Sequence, residues 1–370
     1  MRPALRKSFG ALLAAGVIVM HPLTPLKAGA PSEATVNGGA PGIGPVAPRL
    51  LSETGLYAKD GSLAVDPRNR AYSPQYPLWS DGAKKQRWIY LPPGAPIDVS
   101  NVDAWVFPVG TKFWKEFVFN GRRVETRLLW RASEQGWVFA SYKWNEEQTD
   151  AAIAPADGDV GVAEIASNRR HTIPSVEECR ACHDSKRTEI LGFSALQLST
   201  DRDSNAIHGE PLAPGMVTLQ TLLDDGVLSP RRTELIARPP RIRADNPRAR
   251  ALLGYLSTNC GMCHNSEGPL ASLGMLLKQP SGARLHAERL GQGGRNVAIE
   301  TTVGRASAWQ LPGAADGASV RITAGSPDLS ALVYRMKSRR PSSQMPPLGT
   351  VVPDHDAIEA VTRWISEDLK

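Results

Sequence analysis

A multidomain fold, with a β-rich N-terminal domain followed by mostly α-helical modules, is predicted by three features of the 370-residue sequence. Tryptophan concentrates early: Trp79, Trp88, Trp105, Trp114, Trp130, Trp137 and Trp144 are seven of the nine. Alternating strand patterns flank Asn120-Gly121 in the same region, a two-residue hairpin signal. The chain beyond this region carries helical spacings and two copies of Cys-x-x-Cys-His, at Cys179, Cys182, His183 and at Cys260, Cys263, His264, which use every cysteine in the chain.

The repeated motif decides what the helical modules are. Two thiols three positions apart can reach two vinyl groups on one porphyrin edge, while the next residue offers an imidazole to the iron. A zinc site split across the pairs, structural disulfides and redox-active pairs are the alternatives. Zinc ligand pairs usually lie closer in sequence, disulfide frameworks belong to small domains, and redox pairs need no following His. The sequence therefore predicts two covalently attached haem c groups in cytochrome c-like modules, with His183 and His264 as proximal iron ligands.

Taken in order, residues 1–28 read as a signal peptide. Arg2, Arg6 and Lys7 precede an apolar run from Phe9 to Met20, and cleavage follows Ala28. The run is shorter than the about 20 residues a membrane span needs, so the expectation is a periplasmic protein without a span after cleavage. Residues 29–49, rich in Gly, Pro and Ala, read as a flexible tether. Residues 50–150 form the β-rich domain. Phe113 to Phe119 leads into the Asn120-Gly121 turn, the next strand sets Val124, Thr126, Leu128 and Trp130 on one face, and Gly136 to Trp144 extends the meander. Core packing, rather than a ligand platform, is the expected use of the tryptophans.

Residues 151–170 read as a connector. An EF-hand loop opening at Asp157 would close on Asn168 where Glu is required, which excludes calcium there. The first haem module is expected over 171–240, with a small helix between Leu219 and Leu228. The second is expected over 245–370. Asn246-Pro247 opens a helix with Ala249, Leu252, Leu253 and Leu256 on one face, and Asp354 caps another carrying Ile358, Val361, Trp364 and Ile365.

The formal charge of +6 shrinks on processing, because the signal holds four basic residues and no acid, leaving +2. Two haems with ionised propionates would bring the total to about −2, so charge gives no reason to expect a nucleic-acid partner. Arg231, Arg232, Arg238, Arg241, Arg243, Arg248 and Arg250 crowd one stretch before the second motif. They read as a solvated linker, as propionate partners or as a dock for an acidic partner.

The sixth iron ligands follow by elimination. Met345, in Gln344-Met345-Pro346-Pro347-Leu348-Gly349, is expected on the second haem, its thioether held by a proline-stiffened loop. Met336 closes a Leu329, Leu332, Val333 stripe and reads as core. Met262 sits between the attachment cysteines, and Met275 is a weaker choice. For the first haem the candidate is Met216, in Pro214-Gly215-Met216, with His208 and His171, a five-coordinate iron or a ligand from the N-terminal domain as alternatives.

The chain resembles a family of exported bacterial dihaem c-type cytochromes with a β-rich N-terminal half and no assigned substrate. The resemblance rests on Tyr76-Pro77-Leu78-Trp79-Ser80-Asp81-Gly82-Ala83 with Lys85 and Arg87, and on Trp105-Val106-Phe107-Pro108-Val109-Gly110-Thr111 with Lys115. Val124-Glu125-Thr126-Arg127-Leu128, Tyr142-Lys143-Trp144-Asn145, Gln148-Thr149-Asp150-Ala151 and both haem motifs extend it over about residues 50–370. Met345-Pro346-Pro347 and Trp364-Ile365 are also similar to cytochrome c domains that serve quinoprotein dehydrogenases. The resemblance implies a haem-bearing carrier with a redox partner protein, such as a periplasmic dehydrogenase. It supplies no sixth ligand for the first haem.

The expected function is single-electron transfer between a dehydrogenase or respiratory donor and an acceptor, in an electron-transfer protein rather than an enzyme. Two other readings accompany it. In a dihaem peroxidase-like enzyme the first iron would be open, although such motifs lie farther apart than the 81 positions between Cys179 and Cys260. Such an enzyme would need an acid–base residue beside the open iron, and the loop residues Glu210 and His208 are not named as catalytic. In a binding module the β domain would capture a ligand and the haems would report redox state.

Overall fold

The computed structural model describes residues 45–166, 168–183, 190–281 and 296–369. The expected signal peptide and most of the tether lie outside the described residues. The described residues gather in one compact unit.

A six-stranded antiparallel sheet dominates it. The strands are β1 (Arg70–Ala71), β2 (Lys84–Tyr90), β3 (Ile97–Asp98), β4 (Lys112–Phe119), β5 (Arg122–Ser133), β6 (Gly136–Trp144), β7 (Ala151–Ile153), β8 (Asp159–Ala166) and β9 (Arg169–Ile173), and later β10 (Leu228–Ser229). The main sheet runs β1-β2-β4-β5-β6-β7, while β8 pairs β9 and β10 pairs β3 in parallel. Asn120 and Gly121 both have positive φ, 50° and 78°, as the tight hairpin between β4 and β5 requires.

Both faces of this sheet are covered, which explains why its aromatic residues occupy both alternation phases. Trp88, Trp114, Leu128 and Tyr142 pack with Leu51 and Leu56 on one face. Ile89 and Phe113 pack on the other with Phe107, Phe193 and Leu222. Trp114 is 1% exposed, and its indole N–H donates to the Thr54 hydroxyl at 3.0 Å. Trp88, Trp114 and Trp144 therefore serve the core, and Trp105 and Trp137 lie half-buried at its margin.

The expectation of mostly α-helical haem modules is overturned. The molecule is β-rich, and only about 22% of it is helical. Its seven described α-helices are α1 (Val176–His183), α2 (Leu219–Asp224), α3 (Glu234–Ala237), α4 (Pro247–Asn259), α5 (Val297–Glu300), α6 (Ala331–Lys337) and α7 (His355–Arg363). The physical reason is local punctuation. Pro211, Pro214, Pro230, Pro239 and Pro240, with Gly209, Gly215 and Gly226, interrupt the backbone hydrogen-bond ladder repeatedly between the two motifs. An attachment motif needs one helical turn, not a helical module.

The capped helices do form. The Asn246 side chain accepts from the Ala249 N–H with Pro247 in the first turn of α4, and Asp354 accepts from Ala357 at the start of α7. Leu252, Leu256, Val333, Met336, Ile358, Val361 and Trp364 join in one core between α4, α6 and α7. Leu329 differs from its expected place in that stripe and is 60% exposed, because α6 begins after it.

A segment from the β-rich half binds these helices together. The Trp79 N–H donates to Asn259 Oδ1 at 2.8 Å, and the Tyr76 hydroxyl donates to Asp203 at 3.1 Å. Asp81 accepts the Val351 and Val352 N–H groups at 2.8 and 3.1 Å. Tyr76 to Asp81 thus spans the end of α4 and the loop after Met345.

Candidate functional site

The first motif sits on α1. Ser175 Oγ accepts the Glu178 N–H at 3.1 Å, and Glu178 returns a carboxylate to the Ser175 N–H at 2.9 Å, a reciprocal cap that starts the helix. No residue of α1 is buried, so the helix lacks the apolar face that usually stabilises a short one. Its His183 ring lies 5.8 Å from that of Phe139 on β6. Arg127, on β5, feels the Cys179 and Cys182 thiols and binds Glu125 through Nε at 2.6 Å and Nη2 at 3.0 Å.

The second motif begins where α4 ends. The Cys260 and His264 N–H groups donate to Leu256 and Cys260 carbonyls at 2.9 Å, winding the motif into consecutive turns. Gly261 is required here, since a Cβ would stand 2.4 Å from the Ser257 carbonyl oxygen and 2.8 Å from Lys278 Cα. Asn265 fastens the exit by donating to the Gly261 and Met262 carbonyls at 2.9 and 3.0 Å. His264 is 8% exposed. Burial, then the Arg335 and Arg321 charges, holds its imidazole below the ordinary value and so neutral near pH 7. Its Nδ1 is buried and has no hydrogen-bond partner among the described residues.

One cavity joins the two motifs. Cys179, Cys182, His183, Cys260, Cys263, His264 and Met345 all line it, around about 1880 Å3 of empty space with its open mouth included. Leu129, Phe139, Leu277 and Leu332 give it apolar walls, and Arg127, Arg321, Arg335 and Arg339 are its cations. Partial burial pushes the Cys182 thiol up to about 11, with the Cys263 thiol as the next influence, so the two motifs lie near each other along this cavity. Burial also lifts Cys260 to about 12. All four cysteines are free.

No family model, curated protein or solved structure matches the chain.

The site's own chemistry therefore has to be weighed against each cofactor class. Among the described residues no group of three or more His, Cys, Asp or Glu is placed to hold a metal ion directly. A porphyrin asks for something else, namely paired thiols one turn apart, a neutral imidazole and a large apolar space with cations at its edge. The residues present fit that requirement. Cys179 and Cys182 would hold one haem with His183 as ligand, and Cys260 and Cys263 the other with His264. Arg339 adds to the fit, because its Nε and Nη1 are buried and have no hydrogen-bond partner among the described residues.

Met345 lines the cavity, its loop anchored by an N–H donated to the Arg335 carbonyl at 3.0 Å. Met262, Met275 and Met336 line it too, although Met336 is 6% exposed and also belongs to the helix core. Met216 does not line the cavity, and its Sδ accepts the Ala213 N–H at 3.4 Å. His208 Nε2 bonds Asp354 at 2.9 Å with its ring 4.9 Å from Trp79, and His171 Nε2 bonds Glu125 at 2.9 Å. Neither lines the cavity.

The arginine-rich stretch before the second motif also stays away from the cavity. Arg241 and Arg250 pair with Asp201, Arg248 pairs with Glu367, and Arg232 holds Val99 and Ser100 carbonyls. The cavity's actual cations were not anticipated from the sequence. Arg127 had a signal: with one sheet face given to Thr126 and Leu128, Glu125, Arg127 and Leu129 must share the other.

Proposed function

We propose that the protein is an exported dihaem c-type cytochrome that carries single electrons between a dehydrogenase or respiratory donor and an acceptor. The observation that carries this reading is the common cavity, which brings all four thiols, both motif histidines and Met345 to one apolar space. Haem iron, when bound, supplies reversible one-electron chemistry at a potential set by its axial ligands. The chain's part is to anchor and tune. The thiol pairs on α1 and after α4 fix each group's edge, and the neutral His264 imidazole keeps a lone pair for iron. Met345 offers a thioether from a braced loop, a donor that raises the potential and closes the iron to added ligands. Arg335 and Arg339 offset the carboxylates that haem carries, and Leu129, Phe139 and Leu332 exclude water.

One observation favours a second reading for the first haem. Met216, His208 and His171 stand outside the cavity, which favours an open iron at His183 and peroxidase-like chemistry. A single set of measurements separates the two. The mature chain, matured with haem, would be assayed for covalent haem per chain and by low-temperature EPR with and without cyanide. Two haems with both irons low-spin and unreactive support the carrier. One high-spin iron that takes cyanide supports the second reading, and absence of covalent haem sinks both.

A further inference from the structure

The sheet face that meets the first motif carries more cations than its own carboxylates offset. Strand register sets Arg87 opposite Lys115 and Lys115 opposite Arg127, a row of three like charges across β2, β4 and β5. Directly opposed like charges destabilise a sheet. The adjacent row adds Lys85, opposite Phe117, which in turn stands opposite Glu125. Glu125 is committed to Arg127 and His171, and Glu210 accepts from Arg87 Nη1 at 2.8 Å and from Ser73 at 3.1 Å. Lys85 Nζ reaches only the Leu78 carbonyl, at 2.7 Å.

Two donors are left over. Arg87 is 5% exposed, and its buried Nη2 has no hydrogen-bond partner among the described residues. The Lys115 side chain makes no hydrogen bond or ion pair among the described residues, and its Nζ lies 4.9 Å from the Phe117 ring centroid. Burial, then Lys85, Arg87 and Arg127, drives the Lys115 ammonium well below its usual range. Holding unmatched charge away from water is unfavourable, so this surface is costly unless an anion meets it. Arg127 and Leu78 both line the cavity, which places the cluster at its edge on the side of Cys179 and Cys182.

We propose that Lys85, Arg87, Lys115 and Arg127 form a binding site for a carboxylate or small oxyanion beside the first motif. The anion has two possible sources, a propionate of the first haem or a free oxyanion from solution. The propionate source rests on the dihaem reading; the free source does not.

The test uses the full mature chain after its haem content has been counted, as the wild type, Lys115→Met, Lys115→Arg and Lys85→Met. Thermal midpoints are measured against inorganic phosphate at constant ionic strength, and haem midpoint potentials by spectroelectrochemical titration. A free-oxyanion site gives a saturable rise with phosphate that weakens at least tenfold in Lys115→Met and Lys85→Met and survives in Lys115→Arg. A propionate site gives no phosphate response, but Lys115→Met lowers one potential and leaves the other in place. The proposal is overturned if the methionine variants change neither the phosphate response nor either potential. A haem count below two would fail the dihaem reading alone, because the phosphate measurement stands without it.

Discussion

Gly254 on α4 lies so close to Tyr76 that a Cβ there would stand 2.1 Å from Tyr76 Cε1. The helix that delivers Cys260 is thus fitted against a side chain from the other half of the sequence. Gly254→Ala would gain about 0.5–1 kcal/mol in helix propensity, but forcing a methyl into a packed aromatic edge costs about 1–3 kcal/mol. The clash wins. Urea unfolding should show a net loss of stability, partly restored by adding Tyr76→Ala; a more stable Gly254→Ala protein would refute the close fit.

Acid should unfold the protein partly through Glu125. Burial alone would raise this carboxyl, but Arg127 and His171 outweigh it and hold it at about 2, against an ordinary 4.5. Because the folded value is the lower one, the stabilisation is fully present above pH 4.5 and is lost as pH falls from there towards 2. It amounts to on the order of 3 kcal/mol. Glu125→Gln should flatten the stability curve in that window and lower stability at pH 7. An unchanged slope would show that Glu125 is not the titrating group.

Removing the Met345 thioether tests its place on the second iron. Met345→Ala should lower one midpoint potential, convert one iron to a ligand-accepting form and allow cyanide to bind there. The Met336→Ala protein serves as the contrast, expected to lose about 2–5 kcal/mol of stability while keeping both potentials. If the two variants exchange these behaviours, Met336 is the ligand.

Asp81 should matter for the same methionine loop without lining the cavity. It accepts the Val351 and Val352 N–H groups just beyond the methionine loop, and orphaning buried donors costs about 1–3 kcal/mol each. Asp81→Ala is expected to lower the thermal midpoint and to raise the cyanide on-rate. Asp81→Asn, which keeps an acceptor, should recover most of both; failure to do so would point to its charge instead.

Legibility in the sequence followed the range of the interaction. The Asn120-Gly121 hairpin, the strand Gly136–Trp144, and the caps at Asn246 and Asp354 are local, so a few residues specify each one. The attachment motifs are local too. What could not be read was long-range. Nothing around Cys182 announces that Cys263 lies near it, and nothing in Arg335 or Arg339 marks them as cavity cations rather than surface charges. The helical modules failed for a different reason: a motif that needs one turn was allowed to stand for a whole fold, against the prolines written between its two copies.

The high thiol values of the folded chain bear on the order of its maturation. Thiolates, not thiols, are the reactive species. With Cys182 pushed to about 11 and Cys260 to about 12, the finished fold offers almost none near neutral pH. A chain that carries haem at both motifs would therefore have to acquire it before folding is complete, while the thiols still titrate near 8.5. Alkylation of the haem-free chain should accordingly be slow when folded and fast in urea, the same sheltering that would spare the motifs from premature oxidation.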